Sequence, residues 1–178
     1  MGSEVYVVLF RGVGGATKLP TAPLREALTT AGFERVATYI ASGNVVLKSN
    51  ASAEDVERRV AGVARDLCGF EKDIMVVPAA AWAEMIARNP FPEAVGVPTT
   101  LHAFALKREP DKADADSLAK RAAPSERVVV RGNFLYFHAP KGFGVSKLPP
   151  IIDRILKTPS TARNWNTVLR LRELAEEA

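Results

Sequence analysis

Glu34-Arg-Val-Ala-Thr-Tyr-Ile-Ala-Ser-Gly-Asn-Val-Val-Leu-Lys48 is the stretch on which the fold turns. Two runs of strand-forming residues, Glu34–Ile40 and Val45–Lys48, flank Ala41-Ser-Gly-Asn44. Gly and Asn tolerate positive φ, so the pattern is a hairpin. Working backwards, Leu24, Ala27, Leu28 and Ala31 share one face of a helix that Pro20-Thr-Ala-Pro23 opens and Gly32 stops. Before it, Val5–Phe10 is apolar throughout, as a strand covered on both faces should be. Working forwards, Ser52 caps a helix with Asp55 three residues on, and Val56, Val60, Val63, Ala64 and Leu67 form its apolar stripe. Gly69 ends that helix, and Asp73–Val77 supplies a fourth strand. The order β-α-β-β-α-β is the split βαβ, or ferredoxin-like, arrangement.

A similar order follows. Ala79–Arg88 is a connecting helix closed by Asn89-Pro90. Leu101–Leu106 is a strand, Asp111–Ala122 a polar helix, and Arg127–Arg131 and Phe134–His138 are strands about the tight turn Gly132-Asn133. Ser146–Lys157 reads as a second helix, Ser160–Arg163 as a short edge strand, and a last helix capped by Asn164 or Asn166 runs through Glu176. The expected architecture is α+β, two tandem ferredoxin-like units packed together. Residues 1–78 form the first, 79–98 a connecting helix and loop, 99–163 the second, and 164–178 a C-terminal helix. Phe134-Leu-Tyr-Phe137 is apolar on both strand faces, so a surplus helix, the other half or a second copy of the chain should cover the face its own helices leave open.

Composition narrows the function classes. Hydrophobic residues make up 47% of the 178 and charged residues 25%, enough for a core without staples. One cysteine, Cys68, forbids an intrachain disulfide, and with only His102 and His138 beside it a zinc site is not expected. No apolar run nears the roughly 18–20 residues of a spanning helix, and no basic segment or cleavage site precedes Glu4–Phe10. A cytoplasmic address without membrane association is expected. From Lys141 to Arg172 seven basic residues face Asp153 alone, so the whole positive excess lies there. That stretch is either an anion-facing surface or a solvated face.

Several segments resemble the family labelled domain of unknown function 1697. They are Arg11-Gly-Val-Gly-Gly15 with Lys18-Leu-Pro20, Gly32-Phe33 with Thr38-Tyr-Ile-Ala-Ser-Gly-Asn-Val-Val46, and Arg88-Asn-Pro-Phe91. Leu135-Tyr-Phe137, Pro140-Lys-Gly142, Ser146-Lys-Leu148 and Arg163-Asn-Trp-Asn-Thr-Val-Leu169 continue the likeness to the end of the chain. The resemblance implies two packed ferredoxin-like units and no particular activity. Family members carry a longer first loop, Arg-Gly-x-Asn-x-Gly-Gly; here it is two residues shorter and lacks the Asn.

Three clusters invite an anion. The loop around Gly14 and Gly15 leaves a strand ahead of a helix, flanked by Arg11 and Lys18, but matches neither the P-loop nor the dinucleotide pattern, having Thr17 where each needs Gly. Pro140-Lys-Gly-Phe-Gly-Val-Ser-Lys147 places Lys141 and Lys147 about a helix start near Ser146. Arg163-Asn164-Trp165-Asn166 combines charge, an aromatic face and two amides, or is simply a helix cap with a core Trp. Catalytic residues stay unassigned: Ser42 has no elbow around it, and His102 and His138 are isolated. No cofactor or metal is implied. Arg131-Gly-Asn-Phe-Leu-Tyr-Phe-His138 starts like an RNA-recognition strand but has Asn133 and Leu135 where stacking aromatics belong.

The leading expectation is therefore a small anionic ligand, phosphate-bearing or nucleotide-like, held between the two units by Arg11, Gly14, Gly15, Lys18, Lys141, Lys147, Arg163, Asn164 and Asn166. The alternatives are nucleic-acid backbone binding by the basic C-terminal surface, and a structural role as monomer or homodimer.

Overall fold

A computed structural model describes residues 2–178. Among these residues the chain is mixed α+β, with two four-stranded antiparallel sheets. It divides into two compact units, residues 1–84 with 170–178, and residues 85–169.

In the first unit β1 (Glu4–Phe10) is followed by α1 (Thr21–Thr30), the hairpin β2 (Glu34–Tyr39) and β3 (Asn44–Ser49), α2 (Ala53–Cys68) and β4 (Ile74–Pro78). The sheet order is β2-β3-β1-β4. Local chemistry explains the boundaries. The Ser52 hydroxyl accepts the Asp55 N–H, and Gly69 closes α2 at φ 72°. The hairpin turns through Ile40 at φ 49° and Gly43 at φ 76°, and the Asn44 amide donates to the Tyr39 carbonyl at 3.1 Å. A bulge between Glu34 and Ala37, with Arg35 at φ 50°, bends β2. Phe10, Leu24, Leu28, Phe33, Val56 and Val60 fill the layer between helices and sheet. Leu67, expected on the inner stripe of α2, is instead exposed near the end of that helix.

In the second unit β5 (Leu101–Leu106) is followed by α4 (Lys112–Ala119), β6 (Arg127–Arg131), β7 (Phe134–His138), α5 (Ile152–Leu156) and β8 (Ser160–Asn164), in sheet order β6-β7-β5-β8. The helix α3 (Ala79–Ala87) precedes this set and α6 (Trp165–Glu176) follows it. Both run across the boundary between the units. Phe104, Leu135, Phe137, Leu148, Ile152 and Leu156 form the core on the helix side of the sheet.

Two helices depart from expectation. The expected helix 146–157 shrinks to a single 3-10 turn at Pro149–Ile151 and then α5. Pro149 and Pro150 have no N–H, so the first donor after Leu148 is Ile151, which bonds the Leu148 carbonyl three residues back. The expected helix 111–122 ends at Ala119, because Arg121 and Ala122 bond carbonyls three residues back and tighten the last turn.

The second face of β7 is covered from within its own unit. The Tyr136 hydroxyl donates to the Met85 carbonyl at 2.7 Å, a guanidinium nitrogen of Arg131 donates to the Arg88 carbonyl, and the buried Phe91 ring lies 6.1 Å from His138. The segment leading from α3 into β5 is thus the cover that the aromatic strand requires.

Candidate functional site

The loop between β7 and α5 carries Lys141 and Lys147, and its conformation is set by one aromatic anchor. Phe143 packs down on the helix-side core, 4.0 Å from the His102 ring in a stacked pair and 6.0 Å from both Phe104 and Phe137. Gly142 at φ 107° allows the chain to turn into that plug. With Phe143 pinned, Lys141 and Lys147 are exposed on either side of it. They border a cavity of about 480 Å³, together with Arg121, Ser125, Ser146 and Leu148. Val145, 73% exposed, adds an apolar wall. Among the described residues none of these three cations has an ion-pair partner. The cavity's one carboxylate, Glu126, is engaged by the Ala123 N–H at 3.0 Å. The site can hold a dianion beside a modest apolar group. Sequence reasoning missed Arg121, because it sits where a polar helix was expected to continue; the signal available was Pro124, which limits that helix. The helix start expected near Ser146 is not there, since Pro149 and Pro150 delay it. The charge of the cavity is therefore carried by side chains, not by a helix dipole.

Arg163 does not join Lys141 and Lys147. In β8 it pairs with Ala103 of β5, and in turn Ala103 pairs with Tyr136, so its side chain stands on the Tyr136 face. Phe143 and the two lysines belong to the opposite face, that of Phe104 and Phe137. Arg163 is 8% exposed, bonds the Thr161 hydroxyl and the Ala162 carbonyl at 2.7 Å each, and burial pulls its guanidinium down to about 10. Asn164 spends its side-chain oxygen capping α6, accepting the Thr167 N–H at 3.0 Å. Trp165 is buried and offers no ring to a ligand, whereas Asn166 is exposed in the first turn of the helix. Cap and core anchor describe this cluster.

The remaining four expected residues lie in the first unit. Gly12 and Gly15 take positive φ, as a turn requires. The Gly12 carbonyl accepts the Lys72 ammonium at 2.9 Å and the Thr17 hydroxyl at 3.2 Å, and Thr17 also bonds the Gly14 carbonyl. Arg11 pairs with Asp73 at 3.6 Å, and Lys18 is exposed. The Gly12 carbonyl thus draws one cation, Lys72, onto this loop, where a phosphate cradle would present N–H groups.

Three of the seven basic residues of the C-terminal stretch are held in ion pairs, one of them with a carboxylate far off in sequence. Lys157 pairs with Asp114 at 2.9 Å, Arg170 with Glu173 and Glu177, and Arg172 with Glu176. Of its seven basic residues only Lys141, Lys147 and Arg154 are exposed without an ion pair.

Both histidines pack against aromatic rings of the second unit. His102 is 8% exposed, its Nδ1 has no hydrogen-bond partner, and burial pushes its pKa down to about 4. In the unfolded chain an imidazole titrates near 6.5. A depressed pKa means that stability is complete above about pH 6.5 and is lost as pH falls toward 4, because the unfolded chain binds the proton first. Between pH 7 and 5 unfolding should become easier by about 2 kcal/mol. Urea melts at the two pH values should show this in wild type and show most of it gone in His102→Phe. His138 lies against Arg127, 3.1 Å from its guanidinium; burial and then that positive charge lower its pKa. Burial raises the Cys68 thiol pKa, so it is a poor nucleophile. Among the described residues no three potential ligands gather for a metal, and no helix is long and apolar enough to cross a membrane.

No curated protein matches the chain. Among solved structures it is similar to the conserved bacterial protein SP0830 from Streptococcus pneumoniae, at 18% identity and a TM-score of 0.72 over 98% of this chain and 99% of that one. At that identity the likeness speaks for the fold. A second match, the acetolactate synthase small subunit from Thermotoga maritima, has 14% identity over 92% of this chain and 98% of that one, but its TM-score of 0.25 supports no comparison. A family model covers residues 4–136, three quarters of the chain and every element from β1 to the middle of β7, and by that match the chain belongs to the family described as Protein of unknown function (DUF1697).

Proposed function

We propose that this chain binds a small phosphate-bearing molecule in the second unit, with Lys141, Lys147 and Arg121 holding the anion and Val145 and Leu148 contacting an apolar or ring portion. One observation carries the reading: three cations without ion-pair partners border one cavity whose single carboxylate is already engaged. Glu126 keeps its negative charge while accepting the Ala123 N–H, so the three cations still leave the lining net positive, and a bound dianion relieves that excess while gaining charge-assisted hydrogen bonds. Ser125 and Ser146 can supply neutral donors. The reading is simple binding; Arg11, Gly14, Gly15, Lys18, Arg163, Asn164 and Asn166 take no part. The ion pairs of Lys157, Arg170 and Arg172 argue against the nucleic-acid alternative, since a backbone-tracking surface needs a row of uncompensated cations.

We infer as well that each unit is ferredoxin-like. The element order β-α-β-β-α-β and the matching sheet orders of the two units support this, the repeats occupying residues 1–78 and 99–163. A cytoplasmic address fits a chain whose one cysteine has no disulfide partner. A monomer suits the covered aromatic strand.

Thermal melts with inorganic phosphate, nucleoside monophosphates, phosphorylated sugars and a short single-stranded DNA test the reading. A saturable rise in Tm with one phosphate ester, weakly dependent on salt, is expected. A response confined to the oligonucleotide and abolished by moderate salt would transfer the function to nucleic acid, and no response to any compound would end the proposal.

A further inference from the structure

The cavity beside Lys141 and Lys147 also holds a fixed acceptor, and Glu126 supplies it. Ala123-Pro-Ser-Glu126 is a β-turn closed by the Glu126 N–H on the Ala123 carbonyl at 2.8 Å. Pro124 stands at its second position, where the ring's fixed φ suits the turn. The Glu126 side chain folds back over the same turn, and one carboxylate oxygen accepts the Ala123 N–H at 3.0 Å. Two hydrogen bonds in opposite senses between the same two residues hold the carboxylate still. Among the described residues its other oxygen has no partner, although an ionised carboxylate accepts at both. Nor does Glu126 form an ion pair with Arg121, Lys141 or Lys147, which border the same cavity. Three cations and one preset acceptor surround a single space without pairing across it.

We propose that Glu126 makes this site selective for phosphate esters of a polyol, ribonucleotides included, by accepting a ligand hydroxyl while the cations hold the phosphoryl group. The inference rests on the phosphate reading above and names the ligand's other end. What surrounds the carboxylate decides the donor. A second anionic group would face it with like charge. An ammonium group would suit Glu126 alone, but would meet three cations in the same cavity. An alkyl chain would strip water from the free oxygen and give nothing back. A neutral O–H meets none of these costs, and its hydrogen bond to a carboxylate is of the stronger, charge-assisted kind. Because the turn has already fixed the acceptor, little further ordering is needed to make that bond.

Two matched pairs of probes test this by amide-shift titration of the full chain at constant pH and salt. They are glycerol phosphate with propyl phosphate, and adenosine monophosphate with its dideoxyribose analogue. Within a pair the hydroxylated member should bind about tenfold or more tightly, the worth of one hydrogen bond to a charged group. The pair that responds more strongly separates a free polyol phosphate from a nucleotide. Glu126→Gln should move the two members of a pair in opposite directions. Its side-chain carbonyl can still accept the Ala123 N–H, so the turn is kept. The hydroxylated ester then loses its charged acceptor and weakens, whereas the other tightens because a negative charge has left the cavity. A purely structural Glu126 would weaken both alike. Should the variant fail to fold, the wild-type pairs decide alone. Equal affinity within both pairs, tighter binding of phosphoethanolamine than of glycerol phosphate, or a common shift of both members in Glu126→Gln would overturn the inference and leave the phosphate reading standing. No binding of any ester would end both.

Discussion

Gly43→Ala should be the most damaging single-methyl change in the first unit. Gly43 sits at φ 76°, and a Cβ there would stand 2.6 Å from the Phe10 Cβ and 3.0 Å from a Val13 methyl. The left-handed conformation costs a residue with Cβ about 1–2 kcal/mol. The overlap adds about 1–3 kcal/mol, because Phe10 is 1% exposed and cannot retreat. The Gly43 carbonyl also accepts the Phe10 N–H at 2.8 Å, so shifting the turn to relieve the clash loosens β1, the strand between β3 and β4. A destabilisation of about 3 kcal/mol in urea melts is expected. Gly132→Ala is the control: it shares the positive φ, at 58°, with nothing within 4 Å of the new methyl, so only the conformational cost of about 1 kcal/mol remains. Equal losses at the two glycines would show that the contact with Phe10 contributes nothing.

The double variant Lys141→Ala, Lys147→Ala should lose affinity for the phosphate ester by about a hundredfold or more. Hydrogen bonds to charged groups are worth about 1.5–3 kcal/mol each, and the variant removes two of the three cations at the cavity. Stability should move by less than about 0.5 kcal/mol, since both side chains are exposed and make no ion pair. Arg163→Ala separates the two faces of the sheet. It should lower Tm, because Thr161 and the Ala162 carbonyl lose a buried partner, yet leave the phosphate response intact. Isothermal titration of the three proteins distinguishes the outcomes. Wild-type affinity in the double lysine variant, or loss of binding in Arg163→Ala with its fold retained, would remove the site from this cavity.

Much of the fold was legible because its signals are short-range. Ser52 with Asp55, Gly69, the Gly43 turn and the Gly132-Asn133 turn each depend on atoms a few residues apart, and the strands 101–106, 127–131 and 134–138 appear at the residues expected. Even the shortened helix near residue 150 had its cause in plain view, in Pro149 and Pro150. The site was less legible. Lys141 and Lys147 were visible as a basic glycine loop, but Arg121 joins them from some twenty residues away, and nothing local marks it.

Periodicity, caps and turns are properties of neighbouring residues, so order and type of most elements followed from the chain alone. Sidedness and charge compensation are different in kind. Whether Arg163 faces the lysines depends on the register of β8 against β5, where a one-residue slip reverses every side chain. Whether a basic stretch is an anion surface depends on carboxylates such as Asp114, 43 residues from Lys157. Both quantities exist only after distant segments meet, and tertiary structure decided them: it turned Arg163 away, paired Lys157 with Asp114, and left three cations around one cavity.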